Sequence, residues 1–314
     1  MKRYLEPSRT DLRISRIVLG TANAGLAWDG ADAFRMFDAY LEMGGNLLDT
    51  ARIYSDWVKP EIGRSERVIG DWIRKRGSHS DVLIMTKGGH PRMDTMSVSR
   101  LSKAEIETDL ELSLRALSVD CVDIYCYHRD DPSRSVEELI ETMESFVRAG
   151  KTRYYACSNW STERMKAADH YCERMHYRGF VLNQALYNYG SAGMNPFPDE
   201  TMVTVDREML AYHASHRDNV LAAYMSLCSG FFQALESKGE QAVAGSPYYT
   251  AANLELYRRI RSIAADHRTG ITQVLIAFIL TRAPDMLALI GARNMEQLKA
   301  ALNTFNVDLT GVSF

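Results

Sequence analysis

Four residues in the first half of the chain could together carry out proton-coupled chemistry. Asp49, Lys87 and His128 each stand at the end of a short apolar run, and Tyr54 follows Asp49 five positions later. A carboxylate beside a lysine holds the ammonium charged, and an ammonium beside a phenol favours tyrosinate and lowers the tyrosine pKa from about 10. Such a phenol is a candidate general acid for the alkoxide that forms when hydride reaches a carbonyl carbon. A neutral His128 would orient the carbonyl group by hydrogen bonding.

Each of these residues also has an ordinary alternative role. Asp49 alone could cap a helix after its strand, Lys87 could be a solvated strand end, and His128 could be a hydrogen-bonded loop residue. The functional interpretation depends on their joint placement at the ends of successive strands.

The elements that must position these residues alternate regularly along the chain. Short apolar runs predicted to be buried strands cover 15–19, 46–49, 82–87, 122–128, 153–157, 180–184, 220–224 and 286–290. Amphipathic stretches predicted to be helices cover 31–42, 65–76, 103–117, 136–149, 162–175 and 207–215. A mostly apolar stretch at 271–280 is of helix length and suits a buried position.

Eight strand–helix alternations in 314 residues predict an α/β protein of one domain, residues 1–314, folded as a closed (β/α)₈ barrel. An open doubly wound sheet is the alternative, but G-x-G-x-x-G is missing after the first strand, where the chain reads Gly20-Thr21-Ala22-Asn23-Ala24-Gly25. In a barrel the carboxyl ends of all strands meet at one mouth. Two long segments, 190–205 and 233–249, are predicted to be loops at that mouth.

Composition restricts the partners. With 37 Lys and Arg against 40 Asp and Glu the net charge is −3, so no global basic field favours nucleic acid. No stretch approaches the roughly 18 apolar residues of a membrane helix, and the N-terminus has no signal-peptide pattern. The five cysteines form no C-x-x-C pair, which predicts free thiols in the cytoplasm. His213 and His216 are three apart without a further ligand at metal spacing, so no metal site is expected.

Seven segments in the same order make nearly the whole chain resemble the aldo-keto reductase family. The segments are Leu48-Asp49-Thr50-Ala51-x-x-Tyr54, Thr86-Lys87, Tyr127-His128, Cys157-Ser158-Asn159-Trp160, Asn183-Gln184, Ala223-Tyr224-Met225-Ser226-Leu227 and Gly291-Ala292-Arg293-x-x-x-Gln297-Leu298. The resemblance implies a TIM barrel that binds a nicotinamide cofactor, usually NADPH, without a Rossmann motif. It also implies that the catalytic tetrad is Asp49, Tyr54, Lys87 and His128.

The same resemblance implies a cofactor site along the mouth. It assigns the carboxamide to Ser158, Asn159 and Gln184, and the face of the nicotinamide ring to Tyr224. The pyrophosphate would lie along Ser226, Leu227 and Gly230, with Gly20 and Thr21 lining the mouth. Of the segment that begins at Gly291, Arg293 would lie near the 2′-phosphate and Gln297 at the adenosine end. The chain departs from the family pattern at Ala300-Ala301, where Glu-Asn is common, and at Met225, where Ser is common. NADH therefore remains an alternative to NADPH as the cofactor.

These observations predict a reductase that converts an aldehyde or ketone to the alcohol. Trp57, His90 and Trp160 flank the tetrad segments and are predicted to line the substrate site, with a sugar favoured over an aromatic carbonyl compound. One alternative is a cofactor-binding regulatory subunit with little turnover, as in some relatives of the family. Another is a metal-dependent barrel hydrolase, although the His and Asp cluster that it needs is missing from the strand ends. The sequence leaves the oligomeric state open.

Overall fold

Eight parallel strands close into a barrel in the computed structural model, which describes residues 1–309 and 311–314. A small antiparallel hairpin precedes the barrel. The strands are β1 (Tyr4–Leu5), β2 (Ile14–Ser15), β3 (Ile17–Gly20), β4 (Leu47–Asp49), β5 (Leu83–Gly88), β6 (Val122–Tyr127), β7 (Thr152–Ser158), β8 (Leu182–Leu186), β9 (Val220–Tyr224) and β10 (Met286–Ile290). Neighbours in the barrel follow chain order from β3 to β10, and β10 pairs with β3, which confirms the predicted (β/α)₈ class.

The helices surround the barrel and mostly lie where the amphipathic pattern predicts them. They are α1 (Gly30–Glu42), α2 (Arg64–Arg76), α3 (Lys103–Leu117), α4 (Val136–Arg148), α5 (Thr162–Met175), α6 (Arg207–Ser215), α7 (Phe231–Lys238), α8 (Ala251–Asp266), α9 (Ile271–Leu280) and α10 (Met295–Leu302). In α3 the apolar side chains of Ile106, Leu110, Leu114 and Leu117 are buried against the sheet. Ser102 caps this helix, because its side chain accepts a hydrogen bond from the backbone N–H of Glu105.

The strands are buried on both faces, as expected for a sheet that is covered by helices outside and filled by side chains inside. Outward side chains such as Tyr125 and Tyr155 pack under the helices in the larger cluster. Inward side chains such as Val18, Met85 and Leu287 form a separate cluster within the barrel. This double burial explains why the strands read as continuous apolar runs rather than as alternating ones.

Three predicted segments differ from the structure by more than one residue or one turn. The first predicted run is divided, because Arg16 separates β2 from β3. Strand β8 lies two residues later than predicted. The segment 233–249, predicted to be a loop, instead contains most of α7 and a short 3₁₀ helix at Glu240–Val243. Phe231, Phe232 and Leu235 are buried on α7, and this apolar face outweighs the nearby glycines.

No helix in the described part of the chain is long and apolar enough to cross a membrane. All five cysteines are free thiols, and four of them are buried.

Candidate active site

Lys87 occupies the centre of the mouth, at the end of β5, with its side chain 1% exposed. Its ammonium lies 2.7 Å from Asp49 Oδ1 and donates to the Thr50 carbonyl oxygen at 2.8 Å and to the Tyr54 hydroxyl oxygen at 2.9 Å. Burial lowers the pKa of this lysine, but the Asp49 carboxylate and the Tyr54 oxygen outweigh it and raise that pKa above its usual value. The ammonium is therefore charged at neutral pH.

The contacts of Lys87 fix the direction of the Tyr54 hydroxyl proton. An ammonium has three donors and no acceptor, so the Tyr54 oxygen must accept from Lys87. The O–H of Tyr54 is then left to donate elsewhere. The predicted net fall in the pKa of Tyr54 is wrong: burial raises this pKa, and the opposing effect of Lys87 does not cancel it. Tyr54 is therefore a protonated phenol at neutral pH, which is the form that a general acid requires.

Asp49 is held by residues that the family resemblance assigns to the cofactor. Gln184 Nε2 donates to Asp49 Oδ1 at 2.7 Å. Thr21, predicted to line the mouth, is wholly buried, and its N–H and hydroxyl both donate to the Asp49 carbonyl oxygen. Gly20 is needed for close approach, since a Cβ there would lie 3.2 Å from the Ile290 carbonyl oxygen and 4.0 Å from Asp49 Oδ2. These contacts keep the carboxylate in place beside Lys87.

His128 follows β6 and faces Tyr54, with their ring centroids 5.7 Å apart. His90 lies edge-on to His128, with 4.7 Å between the centroids. Burial lowers the pKa of His128 well below its usual value, and the charges of Arg129 and Lys87 add to the effect. Burial likewise lowers the pKa of His90 to about 4. Both rings are therefore neutral, which agrees with the neutral His128 expected from the sequence.

The predicted carboxamide residues meet beside the tetrad. Asn159 has a left-handed backbone with φ 61° and donates through Nδ2 to the His128 carbonyl oxygen and to Ser158 Oγ. Its Oδ1 accepts from the Tyr224 hydroxyl at 2.7 Å and from the Val203 N–H at 3.0 Å. The cluster therefore joins the ends of β6, β7 and β9.

Sequence reasoning missed a second ion pair at the mouth. Arg129 directly follows His128, and its guanidinium pairs with Asp199 at 2.9 Å in the loop after β8. The Arg129 side chain is 11% exposed and the Asp199 side chain 25%, so the pair is partly withdrawn from water. Two features of the sequence could have indicated this pair: the arginine directly after the candidate histidine, and the aspartate in the long loop 190–205.

The predicted pyrophosphate residues differ in their access to solvent. Ser226 is wholly buried, and its hydroxyl donates to the Ala223 carbonyl oxygen, so it has no surface for a phosphate. Gly230 has φ 80° and open space where a side chain would stand. It precedes α7, whose first turn has no side-chain cap, and an uncapped helix N-terminus presents N–H groups to an anion. Leu227 is half-buried between these two residues.

The predicted adenosine residues are all exposed. Gly291, Arg293 and Gln297 lie at and after the end of β10. The Arg293 guanidinium has no ion-pair partner among residues 1–309 and 311–314, and Gln297 Oε1 accepts from the Arg293 N–H. An arginine without an ion-pair partner, and a glycine with open space at the start of α7, each suit a phosphate group of a ligand. The residues present therefore fit a nicotinamide dinucleotide phosphate.

The three predicted substrate residues have different surroundings. Trp57 is 48% exposed on the loop after β4, and His90 is half-buried beside His128. Trp160 is 0% exposed and packs on Tyr127 and Phe180, so its predicted place in the substrate wall is not compatible with its burial. Exposed large apolar side chains instead collect on the loops after β3, β4 and β5: Leu26, Trp57, Val58, Ile62, Met93 and Val98.

Other candidate sites lack this chemistry. No group of three or more His, Cys, Asp or Glu side chains in the described residues could hold a metal ion. Both ring nitrogens of His213 are engaged, by Asn219 O and by the Asn183 amide. A cleft of about 720 Å³ is lined in part by 280–285, which precede β10 and so lie at the end of the barrel opposite the tetrad.

Comparison with known proteins gives matches along nearly the whole chain. A model of the aldo/keto reductase family matches residues 16–314. An aryl-alcohol dehydrogenase of Pestalotiopsis microspora is 28% identical, over 98% of this chain and 79% of its own length. An uncharacterised oxidoreductase of Bacillus subtilis is 29% identical, over 98% and 92%. An NADP(+) aryl-alcohol dehydrogenase of Phanerodontia chrysosporium is 23% identical, over 95% and 80%.

Proposed function

The chain belongs to the aldo/keto reductase family of oxidoreductases, and we propose that it uses NADPH to reduce an aromatic aldehyde or ketone to the alcohol. The observation that carries the proposal is the set of three acceptors around Lys87. Asp49, Thr50 and Tyr54 accept hydrogen bonds from the three N–H groups of the Lys87 ammonium. The O–H of Tyr54 is then left to donate to the substrate oxygen.

Each of the four tetrad residues has a separate role in the proposed reduction. His128, neutral and beside Tyr54, donates a hydrogen bond that orients the substrate carbonyl. Tyr54 gives its hydroxyl proton to the carbonyl oxygen as negative charge develops there. Lys87 stabilises the tyrosinate that remains, and Asp49 keeps Lys87 charged and in position. When bound, NADPH supplies the hydride that reaches the carbonyl carbon.

NADPH is assigned to residues that lie along the mouth from β7 to α10. Ser158, Asn159 and Gln184 would hold the carboxamide, and Tyr224 would lie against the nicotinamide ring. Gly230 and the start of α7 would receive the pyrophosphate. Arg293 would pair with the 2′-phosphate, and the relative named for NADP(+) supports this preference.

An aromatic substrate is favoured over the sugar that the sequence suggested. A sugar needs polar side chains for its hydroxyl groups, whereas the exposed side chains of Trp57, Met93 and Val98 on the mouth loops are apolar. Two of the relatives are named for aryl alcohols. The five free thiols fit a reducing compartment such as the cytoplasm.

The proposal is tested by following NADPH consumption with a panel of aromatic aldehydes and aldoses. We expect turnover with the aromatic aldehydes, weaker turnover with the aldoses, and a loss of about a hundredfold or more in Tyr54→Phe. Protein that binds NADPH tightly but oxidises it with no carbonyl compound would refute the enzymatic proposal and favour a cofactor-binding regulatory subunit.

A further inference from the structure

Arg129 has more partners at the mouth than an ion pair needs. Its Nη1 donates to the His128 carbonyl oxygen at 2.9 Å, its Nη2 to Asp199 Oδ2 at 2.9 Å, and its Nε to Thr201 Oγ1 at 2.7 Å. One guanidinium thus binds the backbone of the predicted catalytic histidine and two side chains of the loop after β8. A planar guanidinium spreads its donors toward acceptors on different sides, whereas a lysine ammonium is one compact point charge.

A second residue binds the same two parts of the molecule. Asn159 also donates to the His128 carbonyl oxygen, and it also holds the loop, through the Val203 N–H. We call residues 199–203 the wall segment. Arg129 and Asn159 bind the two ends of the wall segment, and both donate to one carbonyl oxygen at the end of β6.

Within the wall segment, Asp199 is prepared for this contact. Its Oδ1 accepts from the N–H and the hydroxyl of Thr201, which leaves Oδ2 for Arg129. Burial opposes ionisation, but the hydrogen bonds from Thr201 and Arg129 lower the pKa of Asp199. After the wall segment the chain rejoins the barrel, since the N–H of Val205 and the carbonyl oxygen of Val203 both bond to Leu186.

From this geometry we propose that Arg129 is a positioning residue for the reduction, acting in two directions. Through the His128 carbonyl oxygen it fixes the backbone that carries the histidine ring. Through Asp199 and Thr201 it holds the wall segment as one side of the substrate site. The proposal rests on the proposed reductase function, but the contact with the wall segment does not.

The test compares Arg129→Met with a matched control, Arg164→Met. Arg164 pairs with both oxygens of Asp130 and lies over Trp160, but it touches neither His128 nor the wall segment. For Arg129→Met we expect kcat for an aromatic aldehyde to fall about tenfold and KM to rise severalfold, because misplaced reacting groups lose rate. For Arg164→Met we expect both constants to stay near the wild-type values, whatever the loss of stability.

Three further variants separate the two directions. Thr201→Val removes the hydroxyl that accepts from Arg129 Nε and donates to Asp199 Oδ1. It should raise KM and leave kcat unchanged. Asp199→Asn should raise KM further and also leave kcat near wild type, because Arg129 still bonds to His128. In Arg129→Lys the ammonium can still pair with Asp199 as a point charge. Compared with Arg129→Met, this variant should therefore bring KM closer to the wild-type value than kcat.

Hydrogen exchange of peptides covering the wall segment gives a readout without turnover. Exchange should be roughly tenfold faster in Arg129→Met than in the wild type and unchanged in Arg164→Met, because charged hydrogen bonds that protect the segment are lost. Wild-type exchange together with wild-type kcat and KM in Arg129→Met would overturn the proposal. Equal changes in kcat, KM and exchange rate in Arg129→Met and Arg164→Met would also overturn it. If the wild-type protein reduces no carbonyl compound, the reductase proposal fails, and the exchange data alone decide whether Arg129 holds the wall segment.

Discussion

The two halves of the barrel mouth are built in opposite ways. Around Lys87 and Asp49, polar groups are buried and already hydrogen-bonded, with side-chain exposures of 1% and 3%. Around Arg293 and Gln297 the side chains are exposed, and the arginine has no ion-pair partner in the part of the chain that the structure describes. On the proposed function, the inner half is preorganised for the reaction before a ligand binds, and the outer half gains its main contacts from the ligand.

This contrast implies that substitutions in the inner half should affect turnover and stability, and substitutions in the outer half should affect cofactor affinity. The predictions below test that division, beginning with the largest expected effect.

Removing the proton donor should have the greatest effect on rate. We expect Tyr54→Phe to lower kcat for reduction by about 10²–10⁴-fold, the usual contribution of general acid catalysis. NADPH affinity, measured by quenching of protein fluorescence, should change little. A Tyr54→Phe protein with near wild-type kcat would show that the inner half does not perform the proposed chemistry.

Removing the central cation should reduce both activity and stability. Lys87→Met leaves the Asp49 carboxylate buried without its ion-pair partner, which costs about 3–5 kcal/mol in comparable pairs. We expect a lower midpoint of denaturant unfolding as well as lost turnover. Asp49→Asn with Lys87→Met is the control, because removing both charges should restore part of the stability but none of the activity.

The pH dependence should differ between the two directions of reaction. Because the pKa of Tyr54 is raised, the phenol stays protonated through neutral pH, so kcat for reduction should be flat there and fall only in strongly alkaline solution. Alcohol oxidation needs tyrosinate as the base, so its rate should rise with pH over the same range. Initial rates in both directions across one buffer series measure this, and an oxidation rate that falls as pH rises would contradict it.

The outer half should decide between the two cofactors. Arg293→Ala removes the proposed partner of the 2′-phosphate, so the KM for NADPH should rise about tenfold or more while kcat is unchanged. The KM for NADH should stay the same, since NADH has no such phosphate. Equal effects on both cofactors would place Arg293 outside the 2′-phosphate site.

The smallest effect is expected at the substrate rim. Trp57→Ala removes an exposed aromatic side chain from the loop after β4 and should raise the KM for an aromatic aldehyde a few fold. The KM for a small aliphatic aldehyde should change less, and comparison of the two substrates separates a binding role from a general loss of structure.

The sequence was most informative where periodicity and barrel geometry act together. The strand ends at Asp49, Lys87 and His128 were predicted because buried runs end in polar residues, and parallel strands in a barrel bring those ends together. The direction of the pKa shift of Tyr54 was not predictable, because burial and the nearby ammonium oppose each other and only coordinates decide the balance.

Side-chain direction was the other missing information. Trp160 stands next to Asn159, yet one points into the core and the other joins the mouth network, and a sequence does not show this difference. The pairing of Arg129 with Asp199 was missed for a similar reason, since 70 residues separate them.

The pairing of β3 with β10 has a consequence for how the protein is made. All four tetrad residues have left the ribosome once residue 128 has emerged, but the barrel cannot close until Met286–Ile290 are available to β3. Contacts so distant in sequence form late, and the open parallel edges of a nascent chain are prone to association with other chains. The tetrad residues are therefore synthesised early, whereas the barrel mouth that brings them together forms last. A chain that stops before residue 286 should accumulate as aggregate rather than as a weakly active enzyme.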